Sequence, residues 1–227
     1  AISPEETIQA FLVDLGNDLS AAINNDPEAR ERIMERGLVQ QYITREFDRL
    51  ASKVSAGGGL KSLRFSTAEV RAVTWYGLLP IKQSELHYWA GKDRIRLMRL
   101  TLRPSNLGIF GEPAFPNWSG DPARAFGALA TQTLRHMSDG DCDALNAIGP
   151  SDYPALLPRN GPSRSKTKGI MERYTKQVMA TCARMTGVPM HRVTWRMGDL
   201  SGAATTRDGT QLAFKVSLTN GPKGRIR

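Results

Sequence analysis

GGGLKSLRFSTAEVRAVTWYGLL, residues 57–79, is where the chain changes from one kind of structure to another. Upstream, apolar residues recur at helical spacing. Downstream, β-branched and aromatic residues gather in short runs, the composition of strands. On the upstream side a helix begins near Leu38, carries Ile43, Phe47, Leu50 and Val54 on one side, and stops at Gly57-Gly58-Gly59. Before it, Asp26-Pro27 opens a shorter helix that runs to about Gly37. At the start of the chain Ser3, Pro4 and Glu6 read as an N-cap, a first-turn proline and a capping-box acid. Ile8, Phe11, Leu12, Leu15, Leu19 and Ile23 then form one apolar stripe.

On the downstream side LRFS, VRAVTWYGLL, ELHYW and RIRLMRLTL read as strands, with Gly91-Lys92-Asp93 as a turn between the last two. A Pro/Gly/Asn-rich stretch, 104–120, ends them. Asp121-Pro122 starts a helix carrying Phe126, Leu129, Thr133 and Met137. Asp141 caps a short helix with Leu145 and Ile148 facing inward, and residues 149–167 read as an exposed loop. A long helix follows with Ile170, Tyr174, Val178, Cys182 and Met185, and Gly187 ends it. HRVTWRM and QLAFKVSLT close the chain as strands, joined by an Asp208-Gly209 hairpin turn.

The fold expected is α+β: a helical N-terminal layer over 1–56, a β-rich unit over 57–120, and helices followed by a second β-rich unit over 121–227, all able to form one compact domain. RAVTWYG (71–77) and HRVTWRMG (191–198) share Val-Thr-Trp. Both halves can thus be α-β-β-β units, a duplication. The alternative is two strands of similar burial, with Trp75 and Trp195 as core aromatics.

The charge is segregated. Residues 1–50 hold 5 Lys/Arg against 10 Asp/Glu, a net of −5, and residues 51–103 hold 10 against 3, a net of +7. Residues 104–160 carry −3 and residues 161–227 carry +10, so the chain as a whole stands at +9. Blocked charge of this kind attracts polyanions. At 40% hydrophobic and 23% charged the composition is that of a folded chain, which excludes disorder throughout.

Two cysteines, Cys142 and Cys182, fit a reducing compartment, with Cys182 a small core residue. No apolar run approaches the roughly 20 residues that span a bilayer. AISPEET has no basic n-region, so no secretory signal is expected in it. A cytoplasmic or virion-associated protein without membrane contact fits these features.

Three basic segments are the candidate nucleic-acid contacts. KDRIRLMRLTLR (92–103) supplies Arg94, Arg96, Arg99 and Arg103. Strand alternation puts Arg94 and Arg96 on one face and Arg99 and Arg103 on the other, unless the strand is bulged or lies at an edge. RSKTKG (164–169) places Arg164, Lys166 and Lys168 on a loop ahead of a helix N-terminus, whose free N–H groups favour phosphate. GPKGRIR (221–227) adds Lys223, Arg225 and Arg227. The competing reading is a solvated basic surface that pairs with the acidic 1–50 segment or with a neighbouring subunit.

Catalytic and cofactor motifs are absent. Asp139, Asp141 and Asp143 have calcium-loop spacing, but Ala144 and Pro150 stand where a glycine and a bidentate acid belong, so capping is the expected role. GGGLKS lacks the Gly-Lys-Ser/Thr order of a phosphate loop and reads as a linker. No metal ligands or cofactor are expected. The function expected is non-enzymatic binding of nucleic acid, or of another acidic macromolecule, within a nucleoprotein or virion assembly built with other protein subunits. One alternative is a structural subunit of a phage neck, tail or capsid without nucleic-acid contact. The other is a metal-independent nuclease using His191 beside Arg192.

Overall fold

The computed structural model describes residues 2–35, 40–76, 81–90, 94–104, 121–149, 164–188 and 190–217. Three helices come first: α1 (Pro4–Ile23), α2 (Pro27–Glu35) and α3 (Gln40–Ala56). Three strands follow: β1 (Leu60–Tyr76), β2 (Ile81–Ala90) and β3 (Ile95–Pro104). Then come α4 (Asp121–Ser138), α5 (Cys142–Ala147), α6 (Arg164–Met185), β4 (Met190–Thr206) and β5 (Gln211–Ser217). The class is α+β, with an antiparallel sheet of five strands in the order β3-β2-β1-β4-β5.

Local chemistry explains the ends of the helices. The amide of Glu6 donates to Ser3 Oγ at 3.2 Å, and the Ser3 amide donates to Glu6 Oε2 at 2.9 Å. That closes the capping box and satisfies two N-terminal donors. All six residues of the α1 stripe are buried. Each such side chain contributes about 1.5–3 kcal/mol when removed from water. α4 buries Phe126, Leu129, Thr133 and Met137 as its periodicity requires, and α6 buries Val178, Cys182 and Met185.

The segments LRFS and VRAVTWY belong to one 17-residue strand, β1. It pairs along its length with the equally long β4. The two Val-Thr-Trp segments therefore lie side by side, with Thr74 opposite Val193 and Val73 opposite Thr194. One continuous sheet thus spans both β-rich stretches of the sequence.

The triple glycine is more than a linker. Gly58 and Gly59 adopt positive φ, +86° and +106°, which glycine alone enters without strain. Gly57 is buried against Thr206, where an added Cβ would lie 2.7 Å from that side chain. Gly59 O and Gly57 O accept from the amides of Arg207 and Asp208. The α3–β1 joint is thereby bolted to the Asp208-Gly209 hairpin, where Gly209 has φ +89°.

One face of the sheet carries the core. Ala68, Val70, Ala72, Leu86, Tyr88, Ala90, Ile95, Leu97, Leu100 and Leu200 are buried there with the helices. Tyr88 is fully enclosed, its hydroxyl 2.9 Å from Thr133 Oγ1, and burial pushes its ionisation well above the usual phenol range.

The cysteines correct an expectation. Cys142 and Cys182 form a disulfide, with Cα atoms 5.8 Å apart and 40 residues of separation. Cys182 does lie in the core, but as half of a cross-link between α5 and α6. Disulfides persist in oxidising surroundings, so the pair gives no support for a reducing compartment. Among the described residues no helix is long and apolar enough to cross a membrane.

Candidate nucleic-acid interface

β3 is an edge strand and is also bulged. Its register against β2 runs Gln83–Arg103, Glu85–Thr101 and His87–Arg99, then resumes at Tyr88–Leu97 and Trp89–Arg96. Met98 is the extra residue. One residue of slip inverts facing. Arg96, Arg99 and Arg103 therefore share the face opposite the helices, together with Glu85, His87 and Trp89. Straight alternation would have split this row. The spacing of Ile95, Leu97, Leu100 and Leu102, which steps by two, three and two, carries the bulge in the sequence.

The gathered arginines are unequally free. Arg96 is only 9% exposed, and its guanidinium donates to Ala147 O at 2.7 Å. Arg103 donates to Glu85 Oε2 at 2.7 Å. Arg99 and Arg94 are exposed. Two of the four candidates on this segment are thus spent inside the subunit, and the carboxylate that neutralises Arg103 belongs to the sheet and not to residues 1–50. In the N-terminal layer two acids meet arginines of that layer, Asp18 with Arg32 and Asp48 with Arg30, each at 3.0 Å.

At the centre of this face Glu69, Glu85 and His87 bring three donor atoms within 4.8 Å of one another. Glu69 lies across Gly198 of β4, where a Cβ would come 3.0 Å from its carboxyl carbon. Both carboxylates already hold guanidinium groups: Arg71 Nε is 2.7 Å from Glu69 and 3.9 Å from Glu85, and Arg103 closes on Glu85. Two acids and two arginines cancel. A divalent cation added here would face uncompensated guanidinium charge, so the cluster reads as a cross-strand ion network. His87 Nε2 stands 3.9 Å from Glu85, beyond a hydrogen bond. Burial lowers its proton affinity first, and Arg99 and Arg71 add to that against the opposing pull of Glu69 and Glu85.

Arg164, Lys166 and Lys168 do not lie on a loop. α6 begins at Arg164, so these cations occupy its opening turns. Lys168 is exposed. Lys223, Arg225 and Arg227 lie outside the described residues, as do the 104–120 stretch beyond Pro104, the Gly91-Lys92-Asp93 turn and most of the 149–167 segment. The side chains of Trp75 and His191 are likewise outside them. Asp141 caps α5 as expected, accepting from the Ala144 amide at 3.2 Å.

A groove that sequence reasoning did not identify runs along α4. It measures roughly 620 Å³ and is lined by Arg124, Gly127, Thr131, Arg135 and His136, with Trp195 of β4 as its floor. Arg124 and Arg135 are eleven residues apart, about three turns, so they stand on one side of the helix some 16 Å apart along its axis. Trp195 faces the helical layer from β4, opposite Ala72. It is half-buried and lies directly against α4, which offers a glycine beneath it. A Cβ on Gly127 would overlap the indole ring. Gly in a helix interior costs about 1 kcal/mol against Ala. The sequence signal is that glycine, set within the helical run FGALA. His136 Nδ1 lies 3.6 Å from Asp141 at the far end of the groove.

No protein-family model matches the chain, and neither the curated proteins nor the solved structures include a match to it.

Proposed function

We propose that the chain binds nucleic acid without performing chemistry on it, and that the α4 groove is the contact. The observation that supports this is the pairing of a half-buried indole with arginines on the same side of one helix. Single-strand binders combine those two elements: bases stack on an aromatic face while cations follow the phosphates. Stacking contributes about 1–3 kcal/mol per base and is tolerant of sequence. A volume of several hundred cubic ångströms suits one or two nucleotides. The overall charge of +9 would assist capture at long range. Arg94, Arg99 and Lys168, exposed elsewhere, would add sequence-independent attraction. Membership of a nucleoprotein or virion assembly belongs to the same proposal, supported by charge blocks that neighbouring subunits can pair.

The test is fluorescence anisotropy with labelled oligothymidylate and with a duplex of equal length, titrated with salt. Single-strand binding is expected to weaken steeply as salt rises. Trp195→Leu should weaken it by at least about fivefold, the lower end of one lost stack. Arg135→Ala should reduce the salt slope by about one. Absence of binding to DNA or RNA at low salt refutes the proposal.

A further inference from the structure

The disulfide sits at one end of a short mechanical linkage whose other end is the edge of the sheet. α5 is six residues long, too short to hold its own shape in water. It is fixed by the Asp141 cap, by the fully buried Leu145, and by the bond from Cys142 to Cys182. The Cys182 side is rigid: α6 is seated in the core through Val178 and Met185, and the Gly187 amide just beyond it donates to Ser138 O at 2.9 Å. α5 is therefore the half that can move.

What α5 holds is β3. Ile148 O accepts from the Leu97 amide at 2.8 Å, and Ala147 O accepts from the Arg96 guanidinium at 2.7 Å. Both contacts fall beside the bulged Met98, where an edge strand would otherwise show its open backbone. We propose that the Cys142–Cys182 disulfide is the latch of a strap, residues 142–148, that closes the β3 edge and draws Arg96 off the basic face. Reduction opens the strap and leaves the sheet folded.

The chemistry is thiol–disulfide exchange with a dithiol reductant. A reductant thiolate attacks the sulfur of Cys142, which is partly accessible, whereas Cys182 is fully enclosed. The S–S bond breaks, Cys182 leaves as thiolate and takes up a proton, and Cys142 is held as a mixed disulfide. The second reductant thiol displaces Cys142, which also leaves as a thiol. Two electrons pass to the protein and the reductant becomes its own disulfide. The strap stays shut only in a compartment oxidising enough to keep this exchange in favour of the bond.

Hydrogen exchange read by mass spectrometry tests the strap on the full chain. The oxidised protein, the protein held in dithiothreitol, and Cys142→Ala are compared over peptides covering 94–100 and, as an internal reference, 66–74 of β1. In both opened forms the edge peptide is expected to exchange at least about tenfold faster, read at labelling times short enough that the β1 peptide stays unexchanged even after the bond's contribution to global stability is lost. Equal protection of the edge in open and closed forms overturns the proposal. So does simultaneous loss in both peptides, which would make the bond a support of the entire fold and not of one edge. Cys142→Ser serves as a second variant, and it must agree with Cys142→Ala.

Discussion

Replacing Gly127 with Ala sets two known quantities against each other. Alanine in the middle of α4 should stabilise the helix by about 1 kcal/mol, because glycine gives up more backbone freedom on folding. The new methyl would overlap the indole of Trp195, so the ring must tilt outward or α4 must lift from β4. Displacements of this kind in a packed interior cost about 1–3 kcal/mol. The overlap wins, and a net loss of up to about 2 kcal/mol is expected. The second arm of the experiment removes the obstacle. In a Trp195→Ala background the methyl meets open space, and the same substitution should stabilise the chain by about 1 kcal/mol. Urea denaturation of the four proteins closes the cycle and reads the coupling between the two sites directly. A coupling of about 1–3 kcal/mol is expected, of the sign that makes alanine tolerable only when the indole is gone. If Gly127→Ala gains the same stability in both backgrounds, Trp195 is not seated on Gly127, and the floor of the proposed groove disappears with it.

Two further outcomes follow from the structure. Burial and Arg99 hold the proton affinity of His87 below its value in an unfolded chain, near pH 6.5. On acidification the unfolded state takes the proton first, so stability present above pH 6.5 should fall as the pH drops toward the lowered folded value. The loss is at most about 1.4 kcal/mol per pH unit. Calorimetric melting of the wild type and His87→Gln between pH 7.5 and 5.5 should show the variant falling less steeply, and parallel curves would refute the assignment. Removing the cross-link, which spans 40 residues, should cost about 4 kcal/mol through chain entropy in the unfolded state. Guanidinium denaturation of Cys142→Ala/Cys182→Ala against the oxidised chain measures this, and a loss under about 1 kcal/mol would contradict it.

Much of the scaffold is written in local chemistry. Ser3 and Glu6 announce α1, the periodic leucines give its buried side, and Asp208-Gly209 marks the last hairpin, because each depends on residues a few positions apart. The site depends on distant ones. Nothing near Trp195 says that a helix some seventy residues earlier offers it a glycine. Cys142 and Cys182 show no spacing that distinguishes a bond from two thiols. The merger of LRFS with VRAVTWY follows from a full-length partner, β4, that lies far along the chain. The bulge at Met98 is the intermediate case. Its signature was present in the leucine spacing, but reading it required knowing which face was buried. The arginine row shows the same limit: the sequence placed cations on β3, whereas only packing decides that Arg96 bends to a carbonyl and Arg103 to Glu85.

Met98 also governs how this chain can change length. Dropping Met98 would leave the apolar residues at plain two-residue spacing and remove the bulge with every facing kept, whereas dropping a residue away from the bulge, such as Arg96 or Thr101, would turn part of β3 over and expose an apolar side chain or bury an arginine. Kindred chains should therefore tolerate a gap at Met98, and show others around this strand rather than in its paired stretches away from the bulge. An insertion or deletion scan across 94–103, scored by soluble expression, would trace that constraint one residue at a time.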